Sequence, residues 1–408
     1  MKKIELLAPA GDLEKLKIAI DYGADAVYMA GELFGLRAGA KNFSLEDMQE
    51  GVAYAHARGK KVFLTMNVFA HNDDIELMKN YLNQIKEIPL DAFIASDAGV
   101  IQLIREVIPD AEIHLSTQAN TTNYRTAAFW YQQGVKRIVL ARELSFDEIK
   151  GLKENLPEDM ELEAFVQGAM CISYSGRCLL SNFMIERDAN RGMCAHPCRW
   201  KYSLVEEKRP GEYYPVEEDA RGTYIFNSRD LCMIEHIPDL IESGLASLKI
   251  EGRMKSVFYV ATVIGAYRKA IDAYYEKKEN YCFQPEWMEE LKKVSNRHFT
   301  TGFYYRKPTN EDQNYESSAY YREYVFLGIV HDYDESTGFA TVEQRNKITV
   351  GDEVEIFGPN SDYFNQKIEI MLNEEGDAIT EAPHAQQMLK IKVSKPVSEK
   401  FIIRKRKE

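Results

Sequence analysis

The chain has 408 residues, 45% hydrophobic and 28% charged, with a formal net charge of −13. That length predicts one large and one small domain, each able to bury a core, and no apolar run approaches the roughly eighteen residues of a membrane span. The acidic balance argues against broad, non-specific binding to nucleic acid but leaves room for a local basic patch.

At the N-terminus, Met1-Lys2-Lys3 precedes only a short apolar stretch before Gly11-Asp12. This is not the pattern of a signal peptide, so a cytoplasmic protein is expected. The first half then repeats one unit: an apolar strand, a turn, an amphipathic helix closed by glycine, and the next strand. The joint recurs at Tyr22-Gly23-Ala24, Gln133-Gly134-Val135 and Ser243-Gly244-Leu245, where a left-handed glycine can end a helix. Strands are predicted to start near Ile4, Asp25, Lys61, Asp91, Glu112, Lys136, Glu161 and Ser247. Helices are predicted over Leu13 to Tyr22, Leu45 to Arg58, Ile75 to Ile88, Val100 to Val107, Tyr124 to Gln133, Phe146 to Leu156, Leu231 to Glu242 and Val257 to Tyr275. Eight alternating units with short loops predict an α/β fold, a (β/α)8 TIM-like barrel. The turn Ala8-Pro9-Ala10-Gly11-Asp12 lacks the glycine-rich phosphate loop of a dinucleotide fold.

The repeat is interrupted between strands seven and eight by a cysteine-rich insertion at about 169–227. An insertion there belongs to the face where barrels of this kind build active sites. The barrel domain is expected to span 1–310. Beyond it, short β-rich segments at Tyr324 to Val330, Gly338 to Val342, Glu353 to Ile356, Gln366 to Met371, Leu389 to Val393 and Phe401 to Arg404 predict a small C-terminal antiparallel β-barrel domain over 318–408.

Five of the six cysteines lie between 171 and 232: Cys171, Cys178, Cys194, Cys198 and Cys232. In a reducing compartment such a cluster reads as a metal or catalytic site, not as disulfides. Converging thiolates suit zinc or an iron-sulfur cluster. Zinc more often shows two close pairs, whereas here only Cys194 and Cys198 are close, which favours iron-sulfur.

The run Glu163-Ala-Phe-Val-Gln-Gly-Ala-Met-Cys171-Ile-Ser-Tyr-Ser-Gly-Arg-Cys178 strongly resembles the signature of the collagenase-like peptidases of unknown catalytic type, peptidase family U32. Leu6-Leu-Ala-Pro-Ala-Gly-Asp12, Arg187-Asp-Ala-Asn-Arg-Gly192, Asn227-Ser-Arg-Asp-Leu-Cys232 and Ser247-Leu-Lys-Ile-Glu-Gly-Arg-Met-Lys255 carry the resemblance along most of the chain. It is nearest to the family's bacterial branch, which forms 5-hydroxyuridine at the tRNA wobble position without molecular oxygen and with prephenate implicated. The resemblance therefore implies tRNA as partner, a small carboxylate as co-substrate, and a possible homologous partner subunit. It also implies an iron-sulfur cluster, of the 4Fe–4S type, held by Cys171, Cys178 and Cys194. The fourth ligand differs among members; Cys232 is expected, with Cys198 as the alternative. Cys282 lies outside every matched motif and reads as structural.

A second constellation sits at the strand ends. Alternation along Ser247-Leu-Lys-Ile-Glu-Gly-Arg253 puts Lys249, Glu251 and Arg253 on one side, facing the barrel mouth, where they are the candidate catalytic residues. A paired Lys-Glu-Arg network with a purely structural role is the competing reading. Arg37, Asn67, Gln118, Arg142 with Glu143, and Gln167 end other strands and would complete a pocket for a small anion. In the insertion, Arg187, Arg191, Arg199 and Lys201 accompany Tyr174, Phe183 and Trp200, a mixture suited to an unstacked RNA base and its phosphates. The alternative function, proteolysis, finds neither a His-Glu-x-x-His motif nor a Gly-x-Ser-x-Gly elbow in the sequence.

Overall fold

The structure, a computed structural model, describes residues 3–36, 41–171, 173–174, 177–200, 203–204, 214–215, 228–308, 312, 320–384 and 386–407. Eight parallel strands form a closed ring: β1 (Glu5–Pro9), β2 (Ala26–Met29), β3 (Lys61–Met66), β4 (Ala92–Ala95), β5 (Ile113–Leu115), β6 (Arg137–Val139), β7 (Glu161–Gly168) and β8 (Ser247–Ile250). β8 pairs with β7 on one side and with β1 on the other, Leu7 opposite Lys249, so no barrel edge is left open. Each strand begins within one residue of the position read from the sequence.

Seven of the connecting helices are α1 (Leu13–Asp21), α2 (Leu45–His56), α3 (Asn72–Ile85), α4 (Ala98–Val107), α5 (Tyr124–Gln132), α6 (Phe146–Glu154) and, after β8, α9 (Val257–Lys277). Asp12, Ser44, Asp97, Asn123, Ser145 and Ser256 cap α1, α2, α4, α5, α6 and α9 by accepting a backbone N–H, each cap contributing about 1 kcal/mol. The insertion carries α7 (Leu180–Ile185), and α8 (Ile237–Glu242) follows it. The helix predicted over Leu231 to Glu242 is only half realised: Asp230–Cys232 is a short strand, antiparallel to the end of β7. Pro238 sits in the first turn of α8, where its missing N–H costs nothing, and marks where that helix can begin. A further helix, α10 (Pro285–Lys293), was not anticipated.

Outward-facing strand residues such as Leu6, Val27, Leu64 and Leu248 bury against the helices. Inside the ring, Leu7, Ala26, Tyr28, Phe63, Ala92 and Ile94 make a separate apolar plug. At the N-terminal end of the barrel Arg137, 3% exposed, is held by Glu5, Glu161 and Glu163.

The C-terminal unit is an antiparallel seven-stranded sheet: β9 (Tyr324–Asp334), β10 (Phe339–Gln344), β11 (Glu353–Phe357), β12 (Phe364–Lys367), β13 (Met371–Leu372), β14 (Met388–Lys392) and β15 (Ile402–Arg406), in the order β12-β11-β15-β9-β10-β14-β13. The single strand expected over Gln366 to Met371 is in fact two, because the chain crosses there from one edge of the sheet to the other. The sheet therefore curls into a half-barrel, with the Gln366 side chain bridging the gap to Lys392 O and Ser394 N. Ile329, Phe357 and Ile402 join the apolar core of the barrel domain. Phe258 of α9 stacks on Phe326 of β9, and Tyr22 donates to Lys400 O at 2.9 Å. Among the described residues, no helix is long and apolar enough to cross a membrane.

Candidate functional site: a thiol-lined cavity at the barrel mouth

The cavity at the C-terminal end of the strands is shaped by an irregularity in β7. Between Lys249 and Ile250 of β8, the partner on β7 jumps from Phe165 to Gln167. The extra residue is a β-bulge, which breaks the in-out alternation. Phe165 keeps its place on the cavity wall. Gln167 does not: its Oε1 accepts from Tyr267 of α9, on the outer face of the barrel, so it is no substrate ligand. Just beyond, Gly168 has φ +111°, and a Cβ there would fall 2.8 Å from Glu251 O. On the opposite side, a Cβ on Gly11 would fall 2.0 Å from Arg253 O. Glycine at both positions lets the loop after β8 close down over the mouth.

The end of β8 and that loop deliver the predicted triplet. Lys249, Glu251 and Arg253 all line the cavity, in different roles. Lys249 is 4% exposed and donates to Glu163 at 2.7 Å, with Tyr28 beneath it at 4.4 Å. Burial pushes the Lys249 ammonium below its usual range, with Glu163 opposing. Burial would raise Glu163, but Lys249 and Arg137 outweigh it and hold the carboxyl low. Lys249 is thus tied into the barrel's internal ion network. Arg253, 3% exposed, reaches Thr65 Oγ1 at 3.4 Å. Arg142 lies 4.0 Å over the Phe165 ring, donates to Ala169 O, and stands 3.8 Å from Glu251. Asn67 is consumed in the wall, donating to Ser116 Oγ at 3.2 Å. Gln118, also on the wall, keeps its Oε1 buried with no hydrogen-bond partner among the described residues. Glu143 is not part of the lining, and Arg37 lies outside the described residues. Tyr28 and Thr65, which reach the cavity from inside β2 and β3, were missed; the alternation of those strands could have signalled them.

Cys171, Cys178, Cys194 and Cys198 also line the cavity. Backbone N–H groups of Leu180 and His196 each point at a sulfur, Cys178 Sγ and Cys194 Sγ, at 3.4 Å. Asn190 clamps the Cys178 backbone from both sides at 3.2 and 3.0 Å. Burial pushes the Cys171 thiol up; Ser173 and Arg142 pull it down, and charge on Cys178 or Cys194 would raise it further. Cys232, the expected fourth ligand, does not line the cavity in this structure. It sits in the apolar core of the barrel domain, 5% exposed and against Tyr267, and burial pushes its thiol up to about 12. The reason is its place in the short strand beside β7, opposite the outward-turned Gln167. Cys282 is exposed and away from the cavity. Among the described residues, no three His, Cys, Asp or Glu side chains already stand at metal-binding distance. Four soft thiol donors in one cavity, two of them already receiving N–H groups, nevertheless form a donor set that fits an iron-sulfur cluster.

The basic residues of the insertion divide. Arg191 is engaged with the barrel: it grips Asp74 at 2.8 and 2.9 Å and donates to Phe69 O at 3.2 Å, so it is an anchor and not a free RNA contact. Arg187 is exposed, as are Tyr174 and Trp200. The Arg199 and Phe183 side chains and all of Lys201 lie outside the described residues. Arg177, not singled out from sequence, donates to Gln118 O at 2.8 Å and lies 5.2 Å over Phe69.

A (β/α)8 barrel with thiols and guanidinium groups gathered at its C-terminal mouth has the architecture of an active site. Residues 11–314 match Peptidase family U32 and residues 322–404 match the Peptidase family U32 C-terminal domain; the chain belongs to this family. It is 46% identical to "tRNA hydroxylation protein P1" of Bacillus subtilis, over 100% of this chain and 96% of that one. It is 39% identical to "tRNA hydroxylation protein P" of Escherichia coli, over 94% and 92% of the two chains. It is also 33% identical to a "Collagenase" of Porphyromonas gingivalis, over 97% and 95%.

Proposed function

We propose that this chain is an RNA-modifying enzyme that converts the wobble uridine of tRNA to 5-hydroxyuridine without molecular oxygen. In this reading Cys171, Cys178, Cys194 and Cys198 hold a 4Fe–4S cluster, and prephenate or a related carboxylate is the co-substrate. The observation that carries it is one cavity lined by four thiols together with Arg142 and Arg253; relatives named for tRNA hydroxylation, matching over 100% and 94% of this chain, support it. The cluster, when bound, supplies one-electron chemistry. The chain's own groups do the rest. Arg142 and Arg253 pair with carboxylate oxygens. Phe165 and Tyr28 back Arg142 and Lys249 with their ring faces and so hold these cations at the cavity wall. Gln118 Oε1 accepts from an N–H of the uridine base.

The runner-up is a collagenase-like peptidase, for which the specific observation is Cys194 Sγ at 3.9 Å from His196 Nδ1. That contact is at the long end for a hydrogen bond to sulfur, and Cys194 shares its cavity with three other thiols, which favours a ligand over a nucleophile. One experiment separates the two readings. Protein purified without air is assayed for iron, and tRNA from a deletion strain is analysed for 5-hydroxyuridine with and without the restored gene. Loss of the nucleoside and its return on complementation support hydroxylation. Unchanged nucleoside, with collagen cleavage that survives iron removal, supports the peptidase.

A further inference from the structure

A second concavity opens from the first. Ala169, His196 and Glu251 belong to both, and from there a groove of about 740 Å³ runs between the barrel mouth and the C-terminal half-barrel. Its lining reverses the character of the whole molecule. In a chain of net charge −13, Lys255, Arg297, Arg322 and Lys407 face the groove, and Glu251, at the junction, is the sole carboxylate lining it among the described residues. Between the cations lie Phe258, Tyr320, Tyr324 and Phe326.

The cations are held close together. Lys255 Nζ and the Arg297 guanidinium each lie 3.9 Å from the centre of the Tyr320 ring. Arg297 is 3% exposed, and its Nε and Nη1 are buried without hydrogen-bond partners among the described residues. Its nearest carboxylate, on Asp230, is 3.5 Å away. Buried guanidinium N–H groups left unbonded are costly, and two neighbouring cations repel; an anion in the groove relieves both. Arg322 and Lys407 extend the positive surface outward, both exposed.

We infer that this interdomain groove is the track for the single-stranded RNA that flanks the nucleotide in the cavity. Phosphates meet Lys255, Arg297, Arg322 and Lys407, with Tyr320 holding the first two in place, and bases lie against the half-buried Tyr324 and Phe326. The inference rests on the RNA reading above and deepens it: the half-barrel becomes one wall of the substrate site. Alternating cations and aromatic faces favour a nucleic acid over an acidic peptide, which would leave the rings without stacking partners.

The test is equilibrium binding of oligouridine and of an anticodon stem-loop RNA to the full-length, anaerobically purified protein across a salt series. The variants are Arg322→Ala with Lys407→Ala, the charge-retaining pair Arg322→Lys with Lys407→Arg, and a control pair, Lys79→Ala on α3 with Lys86→Ala at its C-terminal cap. The neutral pair should weaken oligouridine binding about tenfold at low salt and flatten the logarithmic salt slope by about 0.7 per residue. The charge-retaining and control pairs should match the wild type. A wild-type protein that binds RNA, with a neutral pair indistinguishable from it, overturns the groove and leaves the hydroxylase reading standing. A wild-type protein that binds neither RNA overturns both.

Discussion

Arg191 of the insertion and Asp74 of α3 are joined by two side-chain hydrogen bonds, 2.8 and 2.9 Å long. Asp74 also accepts the His71 N–H and so closes the N-terminus of α3. Beside this pair, Phe69 N donates to Asn190 O, and Asn190 in turn holds Cys178. A barrel helix is thereby connected to the thiol wall through a short chain of hydrogen bonds.

Arg191→Ala should therefore act on the proposed metal site. Iron content should fall severalfold, and the insertion should become sensitive to protease at the Arg187 side. Global stability should drop by only about 1 kcal/mol, since the pair is partly solvated. A double-mutant cycle with Asp74→Asn checks it; strict additivity would show that the pair does not act as a unit.

The same pair sets a pH dependence. The Arg191 hydrogen bonds hold Asp74 at about 2, against an ordinary 3.8. A carboxyl depressed on folding stabilises fully above its unfolded pKa and loses that contribution as pH falls through the folded value. The clamp should hold above about pH 4 and release between about pH 4 and 2, and Asp74→Asn should remove that part of the acid transition. Protease sensitivity of the insertion against pH measures it.

Cys198→Ala should lower iron binding as much as Cys171→Ala, Cys178→Ala or Cys194→Ala. Cys232→Ala should keep its iron and lose about 1–2 kcal/mol of stability from a small core cavity. Cys282→Ala should change neither. Iron analysis and urea denaturation of anaerobic protein distinguish the outcomes, and an iron-free Cys232→Ala would return that residue to the ligand set.

Lys249→Met leaves Glu163 buried with one cation fewer and should cost about 3–5 kcal/mol. Adding Glu163→Gln should recover much of that loss. If Lys249→Met is as stable as wild type yet inactive, Lys249 serves the reaction and not the ion network.

Gln118→Leu should remove a buried acceptor that has no partner among the described residues. Stability should stay level or rise by about 1 kcal/mol, while tRNA modification should fall at least tenfold if Oε1 orients the base. Melting temperature and nucleoside analysis, taken together, give the answer.

The barrel was legible because its signals are local. Glycine after helices and caps before them repeat along the chain, and each strand start fell within a residue of expectation. The thiol cluster was legible from spacing, and the triplet Lys249, Glu251 and Arg253 from alternation. What failed depended on distant partners. Nothing near Gln167 announces the bulge that turns it toward Tyr267. Cys232 reads like its neighbours in the motif until the antiparallel pairing of Leu231 with Gly168 takes it to the outer face. Arg191 resembles a free cation in sequence because its carboxylate lies 117 positions earlier.

β7 pairs directly with β8, so the barrel's hydrogen-bonded ring closes without any contribution from the insertion between them. Order of assembly follows from that topology. The strand ring needs no liganded thiol to close, so under the proposed reading the cluster would be loaded onto a finished barrel. If the proposed cluster is present, its loss in air would then be local, and the stripped protein would keep its barrel and could be loaded again.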